Sequence, residues 1–258
     1  MSNIKNGYDI DVAIGKIPKH KSVNKFGRAP SGVQTTATDI WDRADATPTQ
    51  QIWVAPTVAR THQIVSSSVN DASAGTGVRT IKIYGLKDWD TPEVSEIITL
   101  NGTTDVPTAN KYVIIHRMKM MTYGSGGTNA GNLIATADTD ATVTAQINTG
   151  QGQTQMAIYG IPSGVSCVMK QYYISVNKNA TSLSILTNLL INDTITSGLN
   201  GFKVKHSQGV VTEGNSYVCH KFDPPFIIKG PAIIKMQGNS STADTDGSAG
   251  FDLILIND

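Results

Sequence analysis

The chain of 258 residues carries 21 Lys+Arg against 20 Asp+Glu, a formal net charge of +1, and only 16% of its residues are charged. Soluble domains average about 25% charged residues, so this balance excludes a globally basic nucleic-acid binder and an acidic solvating chain. A hydrophobic share of 39% with 24 glycines is apolar enough to bury a core, yet the chain is poor in the Glu, Lys, Ala and Leu of a helical bundle, which favours β-structure with many turns.

The N-terminal sequence MSNIKNGYDI has no apolar core after its lysine, and no run approaches the roughly 18 apolar residues of a membrane span. Neither a signal peptide nor a membrane contact is expected, and folding in the cytoplasm is. Residues 1–45 then differ from the rest. Lys16, Lys19, Lys21, Lys25 and Arg28 stand in a stretch without acidic residues, followed by Pro30, Ser31, Gly32 and a threonine-rich run. No period of two or of 3.6 persists there. The segment reads as an extended arm that takes its order from a neighbour or from the flank of its own domain. Phe26 and Trp41 are its large anchors.

From Gln51 onward the chain breaks into short β-like runs between turns. In the first half these are QIWVA (51–55), THQIVSSSV (61–69), VRTIKIY (78–84), VSEIITL (94–100), KYVIIHRMKMM (111–121) and GNLIAT (131–136). The second half adds ATVTAQI (141–147), QMAIY (155–159), VSCVMKQYYISVNK (165–178), SLSILTNLLIN (182–192), GFKVKH (201–206), PFIIK (225–229), PAIIKMQ (231–237) and FDLILI (251–256). Several alternate apolar and polar residues, the signature of antiparallel strands with one face buried. Turn chemistry at Asn70-Asp71, Gly75-Thr76-Gly77, Asn101-Gly102, Gly124–Gly127, Asn200-Gly201 and Asp223-Pro224-Pro225 separates them. No helical stretch suited to connecting parallel strands is visible. The expected fold is all-β: one elaborated antiparallel sandwich over 46–258, jelly-roll-like, with the extended arm over 1–45.

Local signatures of catalysis are missing. There is no G-x-S-x-G elbow, no H-E-x-x-H, no P-loop and no strand-to-helix G-x-G-x-x-G. His20, His62, His116, His206 and His220 sit singly, and Cys219-His220 with His206 and Cys167 lacks the paired short spacing of a zinc site. Cys167 and Cys219 lie in apolar runs and read as buried free thiols. Asp138-Thr139-Asp140 and Asp244-Thr245-Asp246 lack the spacing of a calcium loop and read as turn aspartates. No enzyme, metal or cofactor is expected.

One stretch carries a recognisable pattern: Phe26-Gly27-Arg28, then Asp39-Ile40-Trp41-Asp42, then VSSSVNDASAGTGVRTIKIYGL (65–86), SEIITLNGTT (95–104) and YGSGGTNAGNLI (123–134). Over about residues 25–135 the chain resembles a family of tailed-bacteriophage virion structural proteins. The resemblance implies a particle-bound β-sandwich of decoration or head-accessory type, in the virion, with no catalytic residues.

The motifs also have a physical reading. Trp41, between Asp39 and Asp42, buries its ring and finds an acceptor for its N–H, pinning the arm to the sandwich. In the long hairpin Asn70 and Asp71 open the turn, Gly75 and Gly77 relax the backbone, and Arg79 reaches back over the loop. The expected function is a capsid decoration or cement protein, a homo-oligomer with a trimer favoured, bound to the major capsid protein. Lys16, Lys19, Lys21, Lys25 and Arg28 are expected to meet acidic patches there, with Phe26 as anchor, so that residues 1–28 are removable without loss of the sandwich. The alternatives are a tail, baseplate or fibre-adaptor subunit, and a carbohydrate- or receptor-binding module.

Overall fold

The structure, a computed structural model, describes residues 3–44, 50–176, 182–195 and 201–257. Along the chain a helix α1 (Asn3–Ala13) precedes β1 (His20–Val33), β2 (Thr38–Asp39), β3 (His62–Ser66), β4 (Val78–Leu86), β5 (Val94–Thr99), β6 (Val106–Pro107) and β7 (Ile114–Tyr123). There follow β8 (Leu133–Ala137), β9 (Thr142–Ile147), β10 (Ile158–Ile161), β11 (Val165–Val176), β12 (Ser184–Asn192), β13 (Lys203–Val211), β14 (Tyr217–Lys229), β15 (Ala232–Ser240) and β16 (Thr245–Asn257).

Alternation builds the strands. In β11 the core side holds Val165, Cys167 and Met169, then Tyr172, Ile174 and Val176. The change of phase falls at Lys170, where the register against both neighbours slips between Met169 and Gln171. A bulge of one residue there resets the alternation, so both halves keep their apolar side chains inward.

The antiparallel pairs β1 with β16, β10 with β15, β11 with β14 and β12 with β13 nest inside one another along the chain. A hairpin rolled up in this way is a jelly roll. Its sheets run β1-β16-β11-β14 and β10-β15-β12-β13, with β2 added beside β15. Between the first and second strands of the roll lies an insertion with two sheets of its own, β6-β3-β8-β9 and β5-β4-β7. One contiguous core joins all four sheets, through residues such as Ile64, Ile83, Met118, Ile158, Tyr172 and Phe251.

Several expectations change. The arm is not free of the sandwich: its residues 20–33 are the first strand of the jelly roll, paired to β16 from His20 opposite Ile256 to Ala29 opposite Gly247. A strand needs no apolar stripe when its neighbour supplies the ladder, which is why the basic sequence hid it. Cutting at residue 28 therefore removes a strand rather than an appendage. The sandwich likewise divides into a jelly roll and an inserted pair of sheets. Residues 3–13 are helical despite having no amphipathic stripe. The run 51–55 is irregular, because Trp53 there turns inward and its indole N–H donates to Thr144 O at 2.9 Å. Asp223-Pro224-Pro225 is not a turn but a bulge within β14, whose register against β11 passes from Lys221 to Phe226 over only two residues, Gln171 to Met169. Asn200 of the expected Asn200-Gly201 turn lies outside the described residues.

Candidate assembly interface

The arm's charges are largely engaged within the molecule. Lys16 pairs with Asp11 at 3.5 Å and Lys21 with Glu93 at 2.7 Å. Arg28 grips the Asp246 carboxylate with both Nε and Nη2. That hydrogen bond raises the guanidinium's affinity for its proton further. Lys25 faces inward, 2% exposed, and donates to His116 O. Burial, reinforced by Arg117 and opposed by Glu93, pushes its ammonium well below the ordinary lysine range. Lys19 is exposed, and Phe26 is half-buried on the outward side of β1. The alternation of β1 buries Lys25, Gly27 and Ala29 and turns Phe26 and Arg28 out. Gly27 is required there: a Cβ would lie 2.3 Å from Ile40 O and 2.4 Å from Ala157 N.

The other motif residues act as internal staples. Trp41 is fully buried and its Nε1 donates to Gln50 O at 3.1 Å. Asp39 accepts from Lys235 Nζ at 2.7 Å, Gln237 Nε2 at 2.8 Å and Trp53 N at 2.8 Å. Burial raises its pKa, and Lys235 counters. Asp42 accepts from Gln155 N at 2.7 Å. The D-I-W-D corner thus ties the jelly roll to the start of the insertion. In the hairpin Asn70 O accepts from Gly77 N at 2.9 Å and Arg79 Nε donates to Gly75 O at 3.1 Å. The buried Asp71 carboxylate accepts from Ser66 Oγ, Val78 N, Ala130 N and Gly131 N.

The remaining candidates are accounted for by local partners. Asp140 holds Thr57 and Arg60, Asp138 holds Gln63, and Asp244 holds Gln34. Among the described residues no cluster of three or more His, Cys, Asp or Glu is placed to hold a metal ion. Cys167 is buried and Cys219 half-buried, both as free thiols. Burial pushes the Cys167 thiol far above its ordinary range.

At the seam between jelly roll and insertion, Glu93, His116, Tyr159 and Lys21 surround a cleft of about 180 Å³. Burial lowers the His116 pKa against the pull of Glu93. Because the Glu93 carboxylate can only accept, His116 Nε2–H donates to it at 2.7 Å, and Lys21 supplies a cation beside it. Burial works to raise the Glu93 pKa, but these two partners hold it well below the carboxylate range. The seam is a fastening.

The opposite flank of the jelly roll is open. β13 ends one sheet and β14 ends the other, side by side and without a ladder between them. Inside, Tyr172 Oη lies 2.6 Å from His206 Nδ1, His206 stacks on His220 with centroids 4.1 Å apart, and Phe222 meets Phe226 edge-on at 4.7 Å. The His206–His220 stack joins the two edges. Toward solvent the mouth is a cavity of about 400 Å³ lined by Ile191, Lys203, Lys205, Ile227, Lys229 and Pro231. Ile227 is 62% exposed. None of these residues was singled out as a candidate from the sequence. The signal was the K-x-K of Lys203 and Lys205 in a β-like run, since lysines mark edge strands.

No protein-family description and no curated protein matches this chain. The likeness to phage structural proteins therefore stands on the quoted motifs. A chain in the structure of infectious bursal disease virus, Gx strain, is 8% identical with a TM-score of 0.23, covering 92% of this chain and 69% of its own. A chain of the infectious bursal disease virus VP2 subviral particle is 9% identical with a TM-score of 0.21, covering 92% of this chain and 70% of its own. Neither value supports an argument about fold or function, and the jelly roll is read from the strand order alone.

Proposed function

We propose that this chain is a non-enzymatic structural subunit of a virus particle, and more narrowly a decoration protein of a tailed-phage head that binds the major capsid protein as a homo-oligomer, with a trimer favoured. The observation that carries the assembly reading is the open flank: two long edge strands end their sheets side by side, with a lysine-rimmed mouth between them. Edges of that length are normally covered or blunted, and here lysines and a bulge on β13 and two prolines on β14 do so only in part. A subunit that meets other chains leaves such a face for them. The virion and phage parts of the reading draw on the F-G-R, D-I-W-D and S-S-S-x-N-D hairpin motifs.

In this reading, with Lys21, Lys25 and Arg28 engaged internally, a capsid neighbour would be met by Lys19 and by α1, where Tyr8, Ile10 and the adjacent Ile14 are 42%, 58% and 59% exposed. Quantitative mass spectrometry of purified particles, scaled to the major capsid protein, tests the reading. Hundreds of copies are expected. A few to dozens would replace decoration by a tail or baseplate role, and absence from particles would overturn the proposal.

A further inference from the structure

We propose that the mouth between β13 and β14 is the docking site for an extended, acidic segment of a partner chain, which adds to β13 as a further strand. This rests on the assembly reading above and names the chemistry of the partner.

β13 ends its sheet, so one row of its N–H and C=O groups has no neighbouring strand. The charge around it is mostly positive. β13 and β14 carry Lys203, Lys205, Lys221 and Lys229 against the single Asp223. At the mouth Asp193 answers Lys203 at 2.5 Å and also feels the charge of Lys205, while neither Lys205 nor Lys229 forms an ion pair of its own among the described residues. Ile191, Ile227 and Pro231 line the mouth together with Thr194, so apolar side chains of an added strand would find apolar surface there. An acidic segment with apolar residues at every second position matches both features.

A second copy of this chain matches neither. β13 of a second copy brings Lys203 and Lys205 rather than acidic residues, and a register centred on Val204 would set those lysines against each other, which is destabilising. β14 is no substitute edge, because Pro224 and Pro225 have no N–H; β13 also carries a one-residue bulge, at Lys205, but keeps every backbone N–H. β13 is the edge that remains.

The test titrates the full-length protein into a fluorescein-labelled seven-residue peptide alternating glutamate with valine, followed by fluorescence anisotropy. Saturable binding is expected, at least tenfold weaker for the Lys205→Glu/Lys229→Glu variant and retained by Lys205→Arg/Lys229→Arg. Both positions are exposed, and the arginine pair separates loss of charge from loss of fold. N-methylation of alternate peptide amides should abolish binding. No saturable binding, equal binding by the charge-reversed variant, by the methylated peptide or by a lysine–valine peptide would overturn the proposal. So would self-association of the protein that the same charge reversal abolishes. Presence in particles together with failure of the peptide overturns only the mouth's role; absence from particles overturns the virion reading whatever the peptide does.

Discussion

Asp71 is the residue on which three loops of the insertion depend. Its carboxylate is fully buried and accepts from Ser66 Oγ at 2.6 Å, Val78 N at 2.8 Å, and Ala130 N and Gly131 N at 2.9 Å each. Its own carbonyl accepts from Gly102 N at 2.7 Å. Asp71→Ala leaves Val78, Ala130 and Gly131 with buried N–H groups that lose their acceptor. Each such group costs about 1–3 kcal/mol, and bonds to a charged acceptor are worth about 1.5–3 kcal/mol. Contributions sharing one carboxylate do not add fully, so the expected loss is about 4–6 kcal/mol, a large part of the ~5–15 kcal/mol of a typical domain. Asp71→Asn keeps one acceptor oxygen and turns an NH₂ toward the remaining donors, for about half that loss. Urea unfolding followed by tryptophan fluorescence measures both. Gly77→Ala should approach the alanine variant, because its Cβ would lie 2.1 Å from Asp71 Oδ1. If Asp71→Ala unfolds within about 1 kcal/mol of the parent, the carboxylate is not the hub the geometry describes.

Removing one member of the buried Asp39–Lys235 pair, by Asp39→Ala or Lys235→Met, should cost about 3–5 kcal/mol, and Asp39→Leu with Lys235→Met should restore most of it in denaturant titrations; equal losses in single and double variants would contradict this. His62 is buried and its pKa falls from 6.5 to about 4. The unfolded chain therefore binds the proton first, so stability is full above pH 6.5 and declines as pH falls toward about 4, by roughly 3 kcal/mol in total. His62→Gln should flatten that part of the stability–pH curve. Removal of residues 2–18 should leave a folded jelly roll, whereas removal of residues 2–28 strips the β1 pairing from His20 to Arg28 and should yield insoluble protein; circular dichroism and solubility of both truncations decide it.

The all-β class and most strands were legible because one buried face imposes alternation, as in VRTIKIY and FDLILI. What escaped notice were elements whose order comes from partners distant in sequence. β1 follows no apolar period because β16 supplies its ladder and Gly27 its close approach. β14 contains two prolines that normally end a strand, tolerated because it is an edge with a bulge. The division into jelly roll and insertion depends on which strands pair, and alternation carries no information about that. The candidate residues divide in the same way. Trp41, Asp71 and Arg79 could be read from local chemistry, whereas Lys25 looked like a surface charge until β1 was seen to turn it inward.

The residues that make the recognisable motif have internal work. Gly27 admits Ile40 and Ala157. Asp39 and Asp42 fasten the insertion to the roll, and Asp71 with Gly77 closes the hairpin. A pattern built from such staples is a statement about fold, and chains that share it need not share a partner. Partner choice belongs instead to surfaces on which folding makes few demands, and the open flank is one: Lys205 and Lys229 support no internal ion pair among the described residues, and Ile227 is largely outside the core. Charge reversal there should therefore alter binding while leaving the unfolding curve in place, and changes at the staples should do the opposite.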